Sequence, residues 1–355
     1  GGTRGDAGAG TDWLRARNIR LTPHERQIYT NVAHASRIAE RLDSIGGLRR
    51  VKEDIRGSVL TPLKHPGVFF GDDPRLVPSR GILLHGPPGT GKTMLARAIA
   101  AESGVPFIPV TLAAVENKYF GESSRLVAAV FSLARKLQPA IVFFDELDGM
   151  MRTRTDFESS CSYGLKTEML THMDGLAARK NEAVIVIGCT NNLAGLDPAV
   201  RRRLPRSYKV DLPTEEERAD ILALLVDASV SRASIAEIAA STRGYSGADL
   251  DELCRQTMAE HMRRMHSDPA FVAALQSARG PRDIAKHIPV LTADAYAETI
   301  SRTQNLSNQR LQHPRSPPNP HRFAVAETHA THEMDVDGTD DEQMPNLPRC
   351  QPRHA

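Results

Sequence analysis

An α/β fold, a five-stranded parallel sheet layered with helices and followed by a smaller all-helical unit, is the architecture that this 355-residue sequence predicts. Three observations predict it. Short apolar runs at Gly81 to Leu84, Val105 to Val110, Ile141 to Phe144, Val184 to Ile187 and Tyr208 to Leu212 are flanked by turn residues and mostly separated by helical patterns, as expected of strands buried on both faces. A glycine-rich octapeptide, Gly86-Pro87-Pro88-Gly89-Thr90-Gly91-Lys92-Thr93, lies between the first run and a helical face of Leu95, Ala98 and Ile99. From Thr214 to about Gln304 the periodicity is helical only.

In chain order, residues 1–20 form an arm, Gly-rich over Gly1 to Gly10 and expected to be disordered. Arg15, Arg17 and Arg20 make it locally basic, which suits a solvated arm, with polyanion contact as the alternative. Residues 21–42 read as a helical linker, since Ile28, Val32, Ala35 and Ile38 recur at helical spacing. The sheet domain spans 43–213 and the helical lid 214–304. Thr214 with Glu217 and Ser246 with Asp249 are capping boxes that open two lid helices. The run Ile221 to Val226 belongs to a core helix, and Pro269 to Arg282 reads as a loop or broken helix. Residues 305–355, rich in Pro, His, Asn and Asp, are expected to be disordered because they offer too little apolar surface to offset ordering entropy.

With 40% hydrophobic and 25% charged residues, the chain can bury a full core. A net charge of +2 argues against wholesale nucleic-acid binding. Cys161, Cys189, Cys254 and Cys350 are scattered, which indicates neither a zinc site nor a disulfide framework and fits a reducing compartment. No run approaches the roughly 20 apolar residues of a bilayer span. The sequence starts without methionine, so an upstream anchor or targeting segment stays open.

The octapeptide carries the first chemistry. Its glycines let backbone N–H groups turn inward around β- and γ-phosphates, Lys92 adds a point charge, and the Thr93 hydroxyl can ligate Mg²⁺. A P-loop NTPase is therefore expected. About fifty residues on, the run Ile141 to Phe144 delivers Asp145 and Glu146. Adjacent residues of an extended chain face opposite sides, so Asp145 would hold Mg²⁺ through water while Glu146 polarises the attacking water. The next run delivers Thr190, Asn191 and Asn192 to the same sheet edge, where open α/β sheets bind ligands. Asn191 can orient the lytic water, and it is equally an ordinary turn former. Arg201, Arg202 and Arg203 read either as a solvated face or as guanidiniums that reach a neighbouring subunit's nucleotide. Lys118, Tyr119 and Phe120 beside Gly121 read as a mobile grip on polypeptide, with core packing as the alternative.

These segments, with Asp43-Ser44-Ile45-Gly46-Gly47-Leu48, Tyr119-Phe120-Gly121-Glu122-Ser123, Ala129 to Ala134 and Lys136-Leu137-Gln138-Pro139, resemble the AAA family of ATPases over about Leu21 to Gln304, in its meiotic clade of hexameric protein remodelers. The fine detail is similar to the dislocases of the mitochondrial outer membrane, which extract mislocalised tail-anchored proteins. Katanin and spastin, the microtubule severers, share the core motifs. The resemblance implies ATP and Mg²⁺ as cofactors. It makes Lys92 and Thr93, followed by Met94, part of the first Walker motif, Asp145 and Glu146 the second, and Asn191 sensor 1. Arg202 and Arg203 match paired arginine fingers acting in trans, Asp174-Gly175-Leu176 the intersubunit-signalling position, and Lys118, Tyr119 and Phe120 pore loop 1. Ile45, Gly46 and Gly47 would line the adenine pocket, with Gly247 and Ala248 approaching from the lid. It further implies a homo-hexamer that threads tail-anchored membrane proteins, without nucleic acid. The implied setting is the mitochondrial outer membrane facing the cytosol, or the peroxisome, through an N-terminal membrane segment missing here; without an anchor it would be the cytoplasm. A microtubule-severing ATPase or a nucleotide-gated binding switch are the alternatives. Leu42 stands where the family usually has an aromatic, and Tyr119-Phe120 where the dislocases usually show tryptophan then tyrosine.

Overall fold

Four buried strands and a fifth at the sheet edge, of whose residues only Tyr208 is buried, set the frame of the molecule; the expectation of five buried strands is corrected at that edge. The computed structural model describes residues 13–71, 73, 75–111, 122–151, 160–179, 181–226, 230–277 and 291–312. The chain divides into two units, residues 1–304 and 305–355, and the sheet lies in the first. Strands β1 (Gly81–His85), β2 (Phe107–Val110), β3 (Ala140–Phe144), β4 (Val184–Thr190) and β5 (Arg206–Lys209) form one sheet in the order β2-β3-β4-β1-β5, with every pairing parallel. Leu83, Ile108, Val142, Phe144 and Val186 face one layer, and Ile82, Leu84, Phe107, Phe143 and Ile187 the other. Both sides are therefore apolar, as a parallel sheet between helices requires. Pro109 is tolerated because β2 is an edge strand.

On the first face pack α1 (Pro23–Tyr29), α4 (Glu122–Leu137) and α6 (Ser160–Ala178); on the second lie α2 (Arg49–Ile55) and α3 (Lys92–Ser103). A short α5 (Leu147–Met150) follows β3, and α7 (Pro198–Arg203) precedes β5. The lid comprises α8 (Glu215–Leu225), α9 (Arg232–Ser241), α10 (Gly247–Met265) and α11 (Pro269–Ser277), with α12 (Ala293–Gln312) closing it. Its own core gathers Leu222, Ile235, Ile238, Leu250, Leu253 and Tyr296. Both expected capping boxes form, at Thr214 with Glu217 and at Ser246 with Asp249.

Several sequence expectations need correction. The linker is α-helical only through Tyr29, with one further 3-10 turn at Ala35–Arg37. Beyond Tyr29, Ala33 exchanges two backbone hydrogen bonds of 2.9 Å with Phe107, and the sheet edge takes backbone groups that a continuous helix would have used internally. The fifth strand lies earlier than Tyr208 to Leu212, because Arg206 pairs with Ile82. Of the Ile221 to Val226 run, Leu222 is fully buried but Leu224 is 51% exposed, so the run is no uniform core helix. Residues 269–277 form one helix, and α12 runs past Asn305 to Gln312. Leu42, in place of an aromatic, is completely buried in the layer against α3. Gly1 to Gly10, the loop Lys118, Tyr119 and Phe120, and the tail from residue 313 lie outside the described residues. Among the described residues, no helix is long and apolar enough to cross a membrane.

Candidate nucleotide site

Because the sheet is parallel, the loops after β1, β3 and β4 emerge at one edge, and they meet there around a cavity of about 620 Å³. The octapeptide leaves β1 and turns into α3, with Gly86, Gly89 and Gly91 at φ of 148°, 75° and 90°. At Gly86 the requirement is doubled, since a Cβ would stand 2.0 Å from the Val210 carbonyl oxygen. The loop thus presents backbone N–H groups and the N-terminus of a twelve-residue helix to the cavity, the arrangement that suits a polyanion.

Lys92 is buried at 8% exposure, and its Nζ donates to the carbonyls of Gly86 at 2.9 Å and Pro87 at 2.6 Å. Burial pulls its pKa below the ordinary lysine value, opposed by the Asp145 and Asp148 charges. A buried ammonium that donates to neutral carbonyls fits a polyphosphate ligand. Cys189 lies beneath it in β4, where burial pushes the thiol well up and keeps it neutral.

Thr93 Oγ1 donates to Asp145 Oδ2 at 3.0 Å, which brings the two oxygen groups expected to serve a magnesium ion into contact. Hard oxygen donors beside a phosphate-binding loop fit that ion. Glu146 departs from expectation: β3 ends at Phe144, and Glu146 has φ 51° and ψ 47°, a left-handed backbone that L side chains seldom adopt. Its N–H donates to Asp145 Oδ1 at 3.0 Å. The two carboxylates are separated by this turn and not by strand alternation, and strain of this kind concentrates at functional sites.

Asn191 lines the same cavity, and a residue the sequence did not single out fixes its position. Asp148 Oδ1 accepts from Thr190 Oγ1 at 2.8 Å and from the Asn191 N–H at 3.2 Å, while Thr190 Oγ1 accepts from the Asn192 N–H at 3.0 Å. Its spacing of three residues from Asp145, on the turn that follows, was the available signal.

The opposite wall comes from Ile45 and Gly46, just before α2, with Ile221, Leu224, Gly247 and Ala248 of the lid. Ile221 and Leu224 are a second omission, hidden because they share a helical turn with core residues. The lid docks closely: Ala248 N–H donates to the Gly89 carbonyl at 3.0 Å, Leu48 N–H to Glu217 Oε1 at 2.8 Å, and a Cβ on Gly46 would meet Ile221 Cγ1 at 2.5 Å. Gly47 packs on Glu217 beside the cavity, and Pro87 at its rim supports the Lys92 ammonium. Pro88, Thr90 and Met94 line it.

Arg202 and Arg203 are elsewhere. They sit on α7, which Asp197 caps through the Ala199 N–H at 2.7 Å while pairing with the buried Lys166 at 2.5 Å. Arg202 is exposed. Arg203 is not free: it makes a bidentate pair with Asp174 at 2.8 and 2.5 Å and donates to the Ala199 carbonyl at 3.0 Å.

A parallel sheet carrying a phosphate loop, an acidic strand end and an adjoining helical lid defines an ATPase of the P-loop class, and the comparisons narrow it. Residues 82–212 match the family described as ATPase family associated with various cellular activities (AAA). The chain is 38% identical over 245 residues to the outer mitochondrial transmembrane helix translocase of Xenopus tropicalis, covering 68% of each chain. For the Danio rerio protein of that name, identity is 38% over 239 residues, covering 67% of this chain and 63% of that one, so the match spans under two thirds of that relative's length. Spastin of Sus scrofa is 41% identical over 220 residues, covering 61% of this chain and 35% of spastin. The crystal structure of the FIGL-1 AAA domain in complex with ADP superposes with a TM-score of 0.61 at 28% identity, covering 81% and 96%. The chain belongs to the AAA family of ATPases.

Proposed function

We propose that this ATPase works as a Mg²⁺-dependent homo-hexameric translocase that extracts misplaced tail-anchored proteins from the mitochondrial outer membrane by threading them through a central pore. The observation that carries the reading is the meeting of Lys92, Thr93, Asp145, Glu146 and Asn191 at one cavity, while Arg202 stands exposed away from it. Membrane attachment comes through a segment upstream of the present sequence, and Lys118, Tyr119 and Phe120 grip the client.

When bound, MgATP supplies the transferable γ-phosphoryl group. The loop N–H groups and Lys92 hold its phosphates, Thr93 and Asp145 hold the ion, and the apolar wall of Ile45, Gly46, Ile221 and Leu224 holds the base. Glu146 takes the proton of the attacking water at its carboxylate, and Asn191, set by Asp148, orients that water. Arg202 reaches the neighbouring subunit's site, where a planar guanidinium stabilises developing charge. Arg203 is a second finger that must first leave Asp174, and Asp174 thereby couples the seam to its own chain.

Mixing Arg202→Ala chains with Lys92→Ala chains, each inactive alone, tests the shared site. Turnover is expected to reappear in the mixture, because a Lys92→Ala chain still supplies its Arg202 to an intact phosphate loop on its neighbour. No recovery at any mixing ratio would contradict action in trans. The similarity to spastin supports a second reading, a microtubule-severing enzyme. Co-sedimentation with microtubules, coupled to their shortening in ATP, would select it over extraction from vesicles.

A further inference from the structure

A second cavity, of about 550 Å³, opens at the other end of the sheet, where Val105-Pro106 leads into β2 and Pro139 into β3. Its remaining wall comes from the helical turn at residues 13–16 with Arg17 and from the irregular linker at residues 34–41. None of these groups serves the nucleotide site.

Trp13, the sole tryptophan of the chain, is half-buried there. The Arg17 guanidinium lies 4.2 Å from the centre of its ring. The His34 imidazole meets the indole edge-on at 5.2 Å and 61°, and its Nε2 is 3.1 Å from the Tyr29 hydroxyl. Arg37 and Arg41 complete the mouth. Arg41 Nη1 donates to the carbonyls of Ile38 at 2.6 Å and Glu40 at 2.9 Å, which orients its fork without neutralising it.

Charge distinguishes this place from an ordinary polar surface. The described lining residues include three arginines and one histidine but no carboxylate. Glu40, the acid of this stretch, pairs with Arg97 at 2.9 Å. In the last turn of α3, the Ala100 carbonyl accepts from the Gly104 N–H at 3.1 Å and the Ile99 carbonyl from Ser103 Oγ at 2.7 Å. Burial, and after it the charges of Arg37 and Arg17, hold the His34 pKa below its ordinary value. Guanidiniums gathered at one cavity mouth favour a bound anion there.

We propose that this cavity is a second, non-catalytic binding site for phosphate esters, in which the forked guanidiniums of Arg17, Arg37 and Arg41 grip the phosphate above Trp13. Guanidinium forks match phosphate oxygens in pairs. The ester can be a soluble molecule or a lipid headgroup. The site stands apart from the proposed translocase function and does not depend on it.

Trp13 reports directly, being the only indole. The full chain carrying Lys92→Ala, which removes phosphate binding at the catalytic loop, is titrated with inorganic pyrophosphate while tryptophan emission is followed. A saturable change is expected, weakened about tenfold or more in Arg41→Gln and in Arg37→Gln, the loss expected for one charge-assisted contact. Two variants are used so that a folding defect in one, seen in its melting curve, does not decide the outcome. In a parallel arm the chain is floated with phosphatidylcholine vesicles that contain or lack a phosphoinositide. Flotation only with the phosphoinositide supports a lipid headgroup as the source, and an emission change without flotation supports a soluble ester. No saturable change with either probe, or a change equally strong in both arginine variants, would overturn the site.

Discussion

The two ends of one parallel sheet differ in how they are built. At the C-terminal end of the strands, the loops after the neighbouring strands β3, β4 and β1 converge with one helix N-terminus, each loop delivered by a strand whose burial fixes where it stops. At the N-terminal end, the wall comes from a linker with little regular structure, tied to the sheet by the Ala33 to Phe107 pairing and to α4 by the buried Glu25. Backbone topology therefore assembles the catalytic edge, whereas side-chain contacts across long sequence separations assemble the other.

The largest expected effect lies at the catalytic edge. Lys92→Ala removes a buried cation and should abolish measurable ATP binding by calorimetry while leaving the melting curve nearly unchanged; retained affinity would break the assignment of this edge. Next comes Asp148, which acts through Asn191. Asp148→Ala should lower kcat by about ten- to a hundredfold, the scale for losing hydrogen bonds to a charged group, with little change in KM. Asp148→Asn, which keeps an acceptor oxygen, should recover most of the loss.

Between the two ends in magnitude is the lid seam. Gly46→Val would drive a side chain into Ile221, whose backbone Cα is 2.6 Å from the added Cβ, and overpacking of this kind costs about 1–3 kcal/mol. Nucleotide affinity should weaken about tenfold, since the displaced residue walls the cavity.

The smallest effect is expected from Glu25. Burial opposes its charge, but bonds from Lys136 Nζ at 2.6 Å, the Thr22 N–H at 2.7 Å and Ser132 Oγ at 2.8 Å hold its pKa below the ordinary carboxylate value. A carboxyl with a depressed folded-state pKa contributes stability above its unfolded value, and that contribution is lost as pH falls through the folded one. Glu25→Gln should therefore melt below wild type at neutral pH, and the gap should close as pH drops below about 4. A gap that persists there would place the linker's attachment in its apolar contacts.

Legibility in the sequence follows the same division. The strands, the phosphate loop and both capping boxes depend on local spacing, and short runs such as Ile82-Leu83-Leu84 and Thr214 with Glu217 carry it. The turn at Glu146 was not legible, because nothing local marks a left-handed glutamate. Ile221 and Leu224 were read as core because periodicity reports a face and not what covers it. The linker beyond Tyr29 kept helical spacing, yet the open edge of β2 claimed its backbone. Arg17 was visible only as part of a basic arm, since Arg37, Arg41 and Trp13 come together solely in the folded chain.

The measurement that bears most directly on the whole account is the fate of ATP on Glu146→Gln. Incubated with radiolabelled ATP and Mg²⁺, the variant is expected to bind nucleotide with wild-type affinity and to retain it unhydrolysed, with turnover reduced about a hundredfold or more, the scale of general-base catalysis. Turnover at the wild-type rate would contradict the reading of this edge as a site in which Glu146 activates water.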